Sequence, residues 1–263
     1  MMKKITLYTS LFAAGILMFS ACKKQADKTA NYTLSDESTA YVRVVHAAPS
    51  FRQIFNAPDS FNVYVNDIKM NAPFLTYGAI FPSNASFGYV AVQPGLNQFR
   101  VNIHGFASAS PDSTRLINFT KVFQAGQYYT LLMTDSITSG RDSSQMFLPD
   151  AYTKPLNGYY GLRFVHAVWN DTTGKTVDIY SARRNANIFT SVKPGEIKTF
   201  NSFASNTQLS DTLYVRRSGT QITLSQLNGV SFANQRSYTL VYRGDGNLAT
   251  GTKARALATF LHN

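Results

Sequence analysis

The sequence predicts an all-β protein: two tandem immunoglobulin-like β-sandwich domains behind a short N-terminal leader and tether. Three observations predict it. Short runs alternate apolar and polar residues, as in Gln98–His104, where Phe99, Val101 and Ile103 are separated by Arg100 and Asn102. Successive side chains on a strand point to opposite faces, so such a run buries one face and wets the other. Strand-favouring aromatics are abundant, with 19 Phe and 15 Tyr in 263 residues. Finally, the same strand blocks occur twice in the same order, and no amphipathic helical pattern of convincing length intervenes.

The N-terminus comes first. Lys3 and Lys4 precede an uncharged, mostly apolar run from Ile5 to Phe19, and the small residues Ser20 and Ala21 lead to Cys22. This charged, apolar, small-residue order is that of a secretory signal. The apolar run falls short of the ~20 residues that a membrane-spanning helix needs. Small residues before the single cysteine of the chain resemble the lipobox of bacterial lipoproteins, with Phe19 where many lipoboxes carry Leu. The resemblance implies cleavage before Cys22 and acylation of its thiol, as by palmitate. Residues 1–21 are then the signal peptide. Residues 22–39 are polar and mixed in charge, unable to bury enough surface to fold, and read as a lipidated flexible tether. Lys23 in place of an Asp after the cysteine points, by the sorting rule of that group, to the outer membrane of a bacterial cell envelope; the side faced by the domains stays open. With Cys22 lipidated, no disulfide or thiolate metal site is possible in the mature chain, so stability must come from burial.

The repeat defines the rest. Tyr41–Pro49 matches Gly161–Trp169 at Arg43/Arg163, Val45/Val165, His46/His166 and Ala47/Ala167. Phe61–Val65 pairs with Val177–Ser181, Gln98–Gly105 with Thr212–Gly219, and Phe123–Met133 with Phe232–Tyr242, the last sharing Tyr-Thr-Leu. A unit of this length is too long for a solenoid and reads as domain duplication. The domains are expected at 40–148 and 160–263, with residues 149–159 as a linker containing two Pro and one Gly. Within each unit, Phe61, Val63 and Val65 should face inward, as should Val177 and Ile179, with Asp178 and Tyr180 outward. Turn signals at Gln93, Gln124, Lys193 and Arg243 separate the strands. Roughly seven short strands per unit suggest a sandwich; without a cysteine pair, topology stays open.

These motifs resemble the family known as domain of unknown function 4397, whose members begin with an Arg-x-x-His-Ala-x-Pro strand and continue with Val-Asp-Val-Tyr-Val and Tyr-Thr-apolar-apolar strands. Here those are Arg43, His46, Ala47 and Pro49; Asn62, Val63, Tyr64 and Val65; and Tyr129 and Thr130. Asn62 replaces the usual Asp, which Asp178 supplies in the second unit, and Trp169 and Asn170 replace Ala-Pro there. The resemblance extends over residues 40–263. It implies secreted or lipid-anchored tandem domains and assigns no catalytic residue.

The formal charge is +11. Residues 22–159 carry 11 basic and 9 acidic groups, and residues 160–263 carry 12 and 5. The basic second half could attract anionic glycan, lipid headgroups or nucleic acid, but no long Lys/Arg run exists, and scattered surface Arg is the preferred reading; no nucleic-acid partner is expected. Arg183, Arg184, Arg216 and Arg217 are the candidate anionic-ligand surface. His46 and His166 recur on what should be core faces and are expected to be buried, neutral and structural; two His in separate domains cannot supply the three or four ligands of a zinc site. The chain lacks a Gly-x-Ser-x-Gly turn, a phosphate-cradling Gly-rich motif, and paired carboxylates in an obvious site. No cofactor and no enzymatic activity are expected. Asp112, Asp135, Asp171 and Asp211, each followed by Ser or Thr, resemble O-glycosylation signals of some exported proteins and equally suit turns. The expected role is a non-enzymatic envelope lipoprotein, membrane-held through Cys22, that acts as a binding or assembly module. Its partner would be an envelope protein or a polysaccharide; the alternatives are an accessory glycan-binding protein and a structural spacer.

Overall fold

The computed structural model describes residues 38–50, 60–71, 73–82, 88–103, 115–134, 145–151, 153–168, 170–171, 176–206 and 208–262. The signal peptide, Cys22, nearly all of the tether, and Asp112 and Asp135 lie outside them. The described residues belong to one compact unit spanning Asp36–Asn263, and among them there is no α-helix.

In the first repeat the strands are β1 (Ala40–His46), β2 (Ser60–Val65), β3 (Ile68–Lys69), β4 (Leu75–Thr76), β5 (Ile80–Phe81), β6 (Val90–Val92), β7 (Gly95–Ile103), β8 (Arg115–Phe123), β9 (Tyr128–Met133) and β10 (Met146–Pro149). In the second they are β11 (Tyr159–His166), β12 (Val177–Ser181), β13 (Ala186–Val192), β14 (Asn201–Ala204), β15 (Asp211–Arg217), β16 (Thr223–Val230), β17 (Ser237–Arg243) and β18 (Ala256–Leu261). Each of the four turn signals falls between strands, at β6–β7, β8–β9, β13–β14 and β17–β18.

Each repeat is a two-sheet sandwich. One sheet runs β10-β9-β1-β5, with β6 also on β1, and its counterpart runs β14-β11-β17-β18. The other pair runs β3-β2-β7-β8, with β4 on β2, and β13-β12-β15-β16. The first strand of each repeat pairs in parallel with a late one, Arg43 opposite Thr130 and Arg163 opposite Thr239. Parallel neighbours need a long crossover, and here the crossover includes the whole second sheet. In immunoglobulin domains the second and third strands lie in opposite sheets; β12 and β13 instead pair within one sheet.

Three buried clusters order the layers. Val42 and Val44 pack with Phe61, Val63, Phe99, Val101 and Leu131 inside the first sandwich. Leu162 and Phe164 pack with Val177, Ile179, Leu213, Val215 and Leu240 inside the second. A third cluster joins Val45, Ala47, Leu132 and Leu148 to Val165, Ala167, Val241 and Phe260. The β1 and β11 sheets therefore stand back to back, each buried on both faces, and the described residues form four layers. Full burial of such side chains is worth roughly 1.5–3 kcal/mol each, so this middle layer ties the repeats together strongly.

The expected alternation holds for Phe99 and Val101, but Arg100 and Asn102, expected on a wet face, are also buried. Arg100 lies over Tyr64, 5.1 Å from its ring centre, and pairs with Asp67 at 2.7 Å. A guanidinium stacked on a ring and neutralised by a carboxylate can leave water at little cost. Tyr180 is half-buried on the outer face of β12, while Asp178 on the same face, also expected outward, is buried.

Candidate functional site

The recurring histidines close the first strand of each repeat. His46 and His166 are fully buried. His46 N–H donates to Ala79 O and its carbonyl accepts from Gly78 N–H; His166 does the same with Glu196 O and Gly195 N–H. Each thus clamps a turn whose glycine has positive φ, 84° at Gly78 and 80° at Gly195, a region that favours glycine. The His46 ring lies 4.4 Å from Phe61, and the His166 ring meets Tyr242 edge-on at 5.0 Å. Burial, helped by the charges of Lys253 and Arg243, lowers the His46 pKa to about 3. Burial lowers that of His166 to about 4, against Asp171, a backbone hydrogen bond and Glu196. Both rings are neutral at ordinary pH. Among the described residues no group of three His, Cys, Asp or Glu could hold a metal ion.

A polar assembly lies in the middle layer, on residues outside the candidate set. Arg43 and Arg163, on the opposite face of their strands from the histidines, are almost fully buried. Arg163 pairs with Asp150 and donates to Pro149 O at 3.0 Å and Thr239 Oγ1 at 3.0 Å. Arg43 donates to Leu261 O at 3.0 Å and Gly88 O at 2.9 Å. Pro149 and Leu261 hold equivalent places, each next after the partner strand residue of Tyr129-Thr130 or Tyr238-Thr239. The bonds therefore run both ways across the interface, as in an isologous dimer.

The next residues, Asp150 and His262, are also equivalent. Asp150 N–H donates to Tyr128 O and His262 N–H to Ser237 O. Thr130 Oγ1 donates to Asp150 Oδ2 at 2.6 Å, and Thr239 Oγ1 lies 2.6 Å from His262 Nε2. Tyr89 links the two halves: its hydroxyl donates to Asp150 Oδ2 at 3.0 Å and lies 2.8 Å from His262 Nδ1. Since that hydroxyl donates to the carboxylate, His262 Nδ1 must carry the proton and Nε2 must accept from Thr239. Burial first, opposed by Asp150 and reinforced by Arg163 and Arg43, lowers the His262 pKa to about 3, which keeps this neutral tautomer. Burial and the Asp150 charge push the Tyr89 hydroxyl up, so it stays protonated. These bonds fasten the two repeats to each other.

The four candidate arginines separate. Arg183 and Arg184 lie in the β12–β13 turn; Arg183 Nη1 donates to Asn206 O and Leu209 O, and Arg184 Nη2 to Ala204 O. Arg216 and Arg217 end β15, Arg217 on the side of buried Leu213 and Val215, and Arg216 on the outer face. Arg216 lies across Tyr180, 3.6 Å from its ring centre, although Asp178 is its register partner. The Asp178 carboxylate is occupied by Ser191 N–H at 2.8 Å, Ser218 Oγ at 2.7 Å, Gly219 N–H at 3.3 Å and Asn187 Nδ2 at 3.3 Å. These bonds shape a cleft of about 350 Å³ whose wall adds Asn185, Thr220 and Gln221. Its groups are amides, a hydroxyl and an Arg–Tyr stack, suited to hydrogen-bonding a polar ligand. The alternation of β12 and β15 signalled that Asp178, Tyr180 and Arg216 share a face; the turn side chains that enclose them carried no such signal.

Residues 40–170 match the family model described as Domain of unknown function (DUF4397). The match takes in the first repeat and β11, and with them Arg43, His46, Thr130, Asp150, Arg163 and His166. It ends well short of residue 263. No curated protein matches the chain. A crystal structure described as that of a candidate cell adhesion protein from Bacteroides fragilis NCTC 9343 is similar over 78% of this chain and 83% of that one, at 10% identity and a TM-score of 0.18. So low a score carries no argument.

Proposed function

We propose that this chain is a non-enzymatic envelope lipoprotein that binds a polar, saccharide-class ligand in the Tyr180–Arg216 cleft, held at the membrane through Cys22. The observation that carries this reading is the cleft's lining: a guanidinium stacked on tyrosine and ringed by amide and hydroxyl groups, with the one carboxylate consumed in shaping the walls. Such groups match sugar hydroxyls and an acidic substituent. No helix among the described residues is long and apolar enough to cross a membrane. The anchor therefore rests on the leader sequence, and Cys22→Ser is expected to release the protein from the membrane fraction.

The chain from Asn31 to Asn263, which contains the compact unit, is to be titrated with neutral and acidic polysaccharides at low and high salt. Binding of an acidic member, weakened by salt and about tenfold by Arg216→Gln, is the expected result. Binding unaffected by Arg216→Gln would move the site elsewhere, and no binding at all would favour a protein partner. The spacer reading draws on a separate observation, the middle-layer network that makes both repeats one stiff unit; retained envelope function of an Arg216→Gln chain would favour it.

A further inference from the structure

A second cleft, of about 330 Å³, lies where the repeats meet, lined by Thr76 and Tyr77 of the first and Arg243, Thr252 and Lys253 of the second. None of these residues belongs to the Tyr180–Arg216 cleft. We infer that it is a binding site for a phosphoryl group carried on a small polar moiety, with Arg243 and Lys253 as the cationic contacts.

The site is built in place. Arg243 ends β17 and lies across Tyr77, 4.9 Å from its ring centre. Its Nη1 is buried and has no hydrogen-bond partner among the described residues. A Cβ at Gly78 would lie 2.7 Å from that atom, so the turn that His46 clamps must be glycine there for the guanidinium to pass. Lys253 and Thr252 sit on a loop pinned from behind. Asp245 N–H donates to Lys253 O, and Gly246 N–H to Asn170 Oδ1. Asn170 Nδ2 donates to Asp245 Oδ1 at 2.6 Å, and Arg255 pairs with Asp171 at 2.9 Å. A Cβ at Gly244 would fall 2.3 Å from Ala254 O, so the loop closes only over glycine. Asp245 and Asp171 are engaged in these bonds.

The electrostatics agree with the geometry: Lys253 and Arg243 both act on buried His46 through space as cations. A planar guanidinium matches two phosphate oxygens at once; an ammonium and two threonine hydroxyls can meet the others. The volume exceeds that of a bare phosphate and leaves room for the group that bears it. Both repeats contribute, so the site exists only because they are packed together. The place equivalent to Arg243 in the first repeat, next after Met133, is Thr134, which carries no charge.

The test titrates the Asn31–Asn263 chain with inorganic phosphate and with a hexose 1-phosphate by calorimetry, and with phosphatidylglycerol vesicles by co-sedimentation. Saturable binding of the sugar phosphate, tighter than of phosphate, is expected for a soluble ligand; binding of the vesicles alone would place the phosphoryl group on a lipid headgroup. In either case Lys253→Gln and Arg243→Gln should each weaken binding at least tenfold, while Lys69→Gln, an equal charge change on exposed β3, should leave it unchanged. Lys253→Gln keeps the test valid if Arg243→Gln fails to fold. Absence of saturable binding to all three probes, or equal loss in Lys69→Gln, overturns the inference. So does unchanged affinity in Lys253→Gln. Polysaccharide binding weakened by Arg216→Gln is read at the other cleft and stands or falls separately.

Discussion

The two repeats end differently. The first closes with Asp150 and the second with His262, at equivalent places, each fastened to the threonine of its own Tyr-Thr-Leu strand. If both were Asp, two carboxylates would face each other in a buried layer; if both were His, Arg163 would lose its counter-charge. One of each gives a carboxylate for the guanidinium and a neutral ring that completes the hydrogen bonds. The duplicated units have thus diverged into complementary halves, and neither is equipped to form this interface with a copy of itself. The cationic junction cleft makes the same point, with Arg243 in one repeat where the other has Thr134.

The sharpest break of this comparison is Asp150→Ala. It strands the buried Arg163 guanidinium and should cost about 3–5 kcal/mol in urea unfolding. His262→Ala removes no charge and should cost less; the reverse ranking would refute the view that the carboxylate is central. Acidification comes next. His46, His166 and His262 have folded pKa values of about 3, 4 and 3 against 6.5 for the free side chain. The unfolded chain therefore binds more protons below pH 6.5, and stability is full above that pH and falls as pH drops toward 4. The loss by pH 4 should be on the order of 3 kcal/mol for each histidine, and His262→Asn should flatten the slope by removing one of three contributors. An unchanged slope would mean that His262 is already protonated in the fold. Tyr89→Phe should cost about 1–2 kcal/mol by cutting the link between Asp150 and His262. Arg216→Gln should change stability by less than about 0.5 kcal/mol, whatever it does to ligand binding; a larger loss would make the stack on Tyr180 structural.

The all-β architecture was legible because alternation and turn residues are local. His46 was legible too, since Val42 and Val44 share its face. Arg43 and Arg163 were visible as repeated residues, but a strand pattern with one buried face assigns the other to water. That step failed because a second sheet covers it. Thr130 and Thr239 stood in the shared Tyr-Thr-Leu block with nothing to mark them as buried donors. Asp150 and His262 differ between the repeats, so comparing the blocks could not pair them. Arg183 and Arg184 looked like companions of Arg216 in a charge count, yet a turn carries them away to bond backbone carbonyls.

By itself the sequence determined the strands, their core faces and the repeated blocks, because each can be read from runs a few residues long. The tertiary structure alone decided that β1 pairs in parallel with β9 and β11 with β17, and that the two sandwiches bury their outward arginines against each other. It alone decided that Tyr77 meets Arg243. Those outcomes depend on the free energy of covering a second apolar face and of matching buried charges across it, and residues of both repeats supply the two sides.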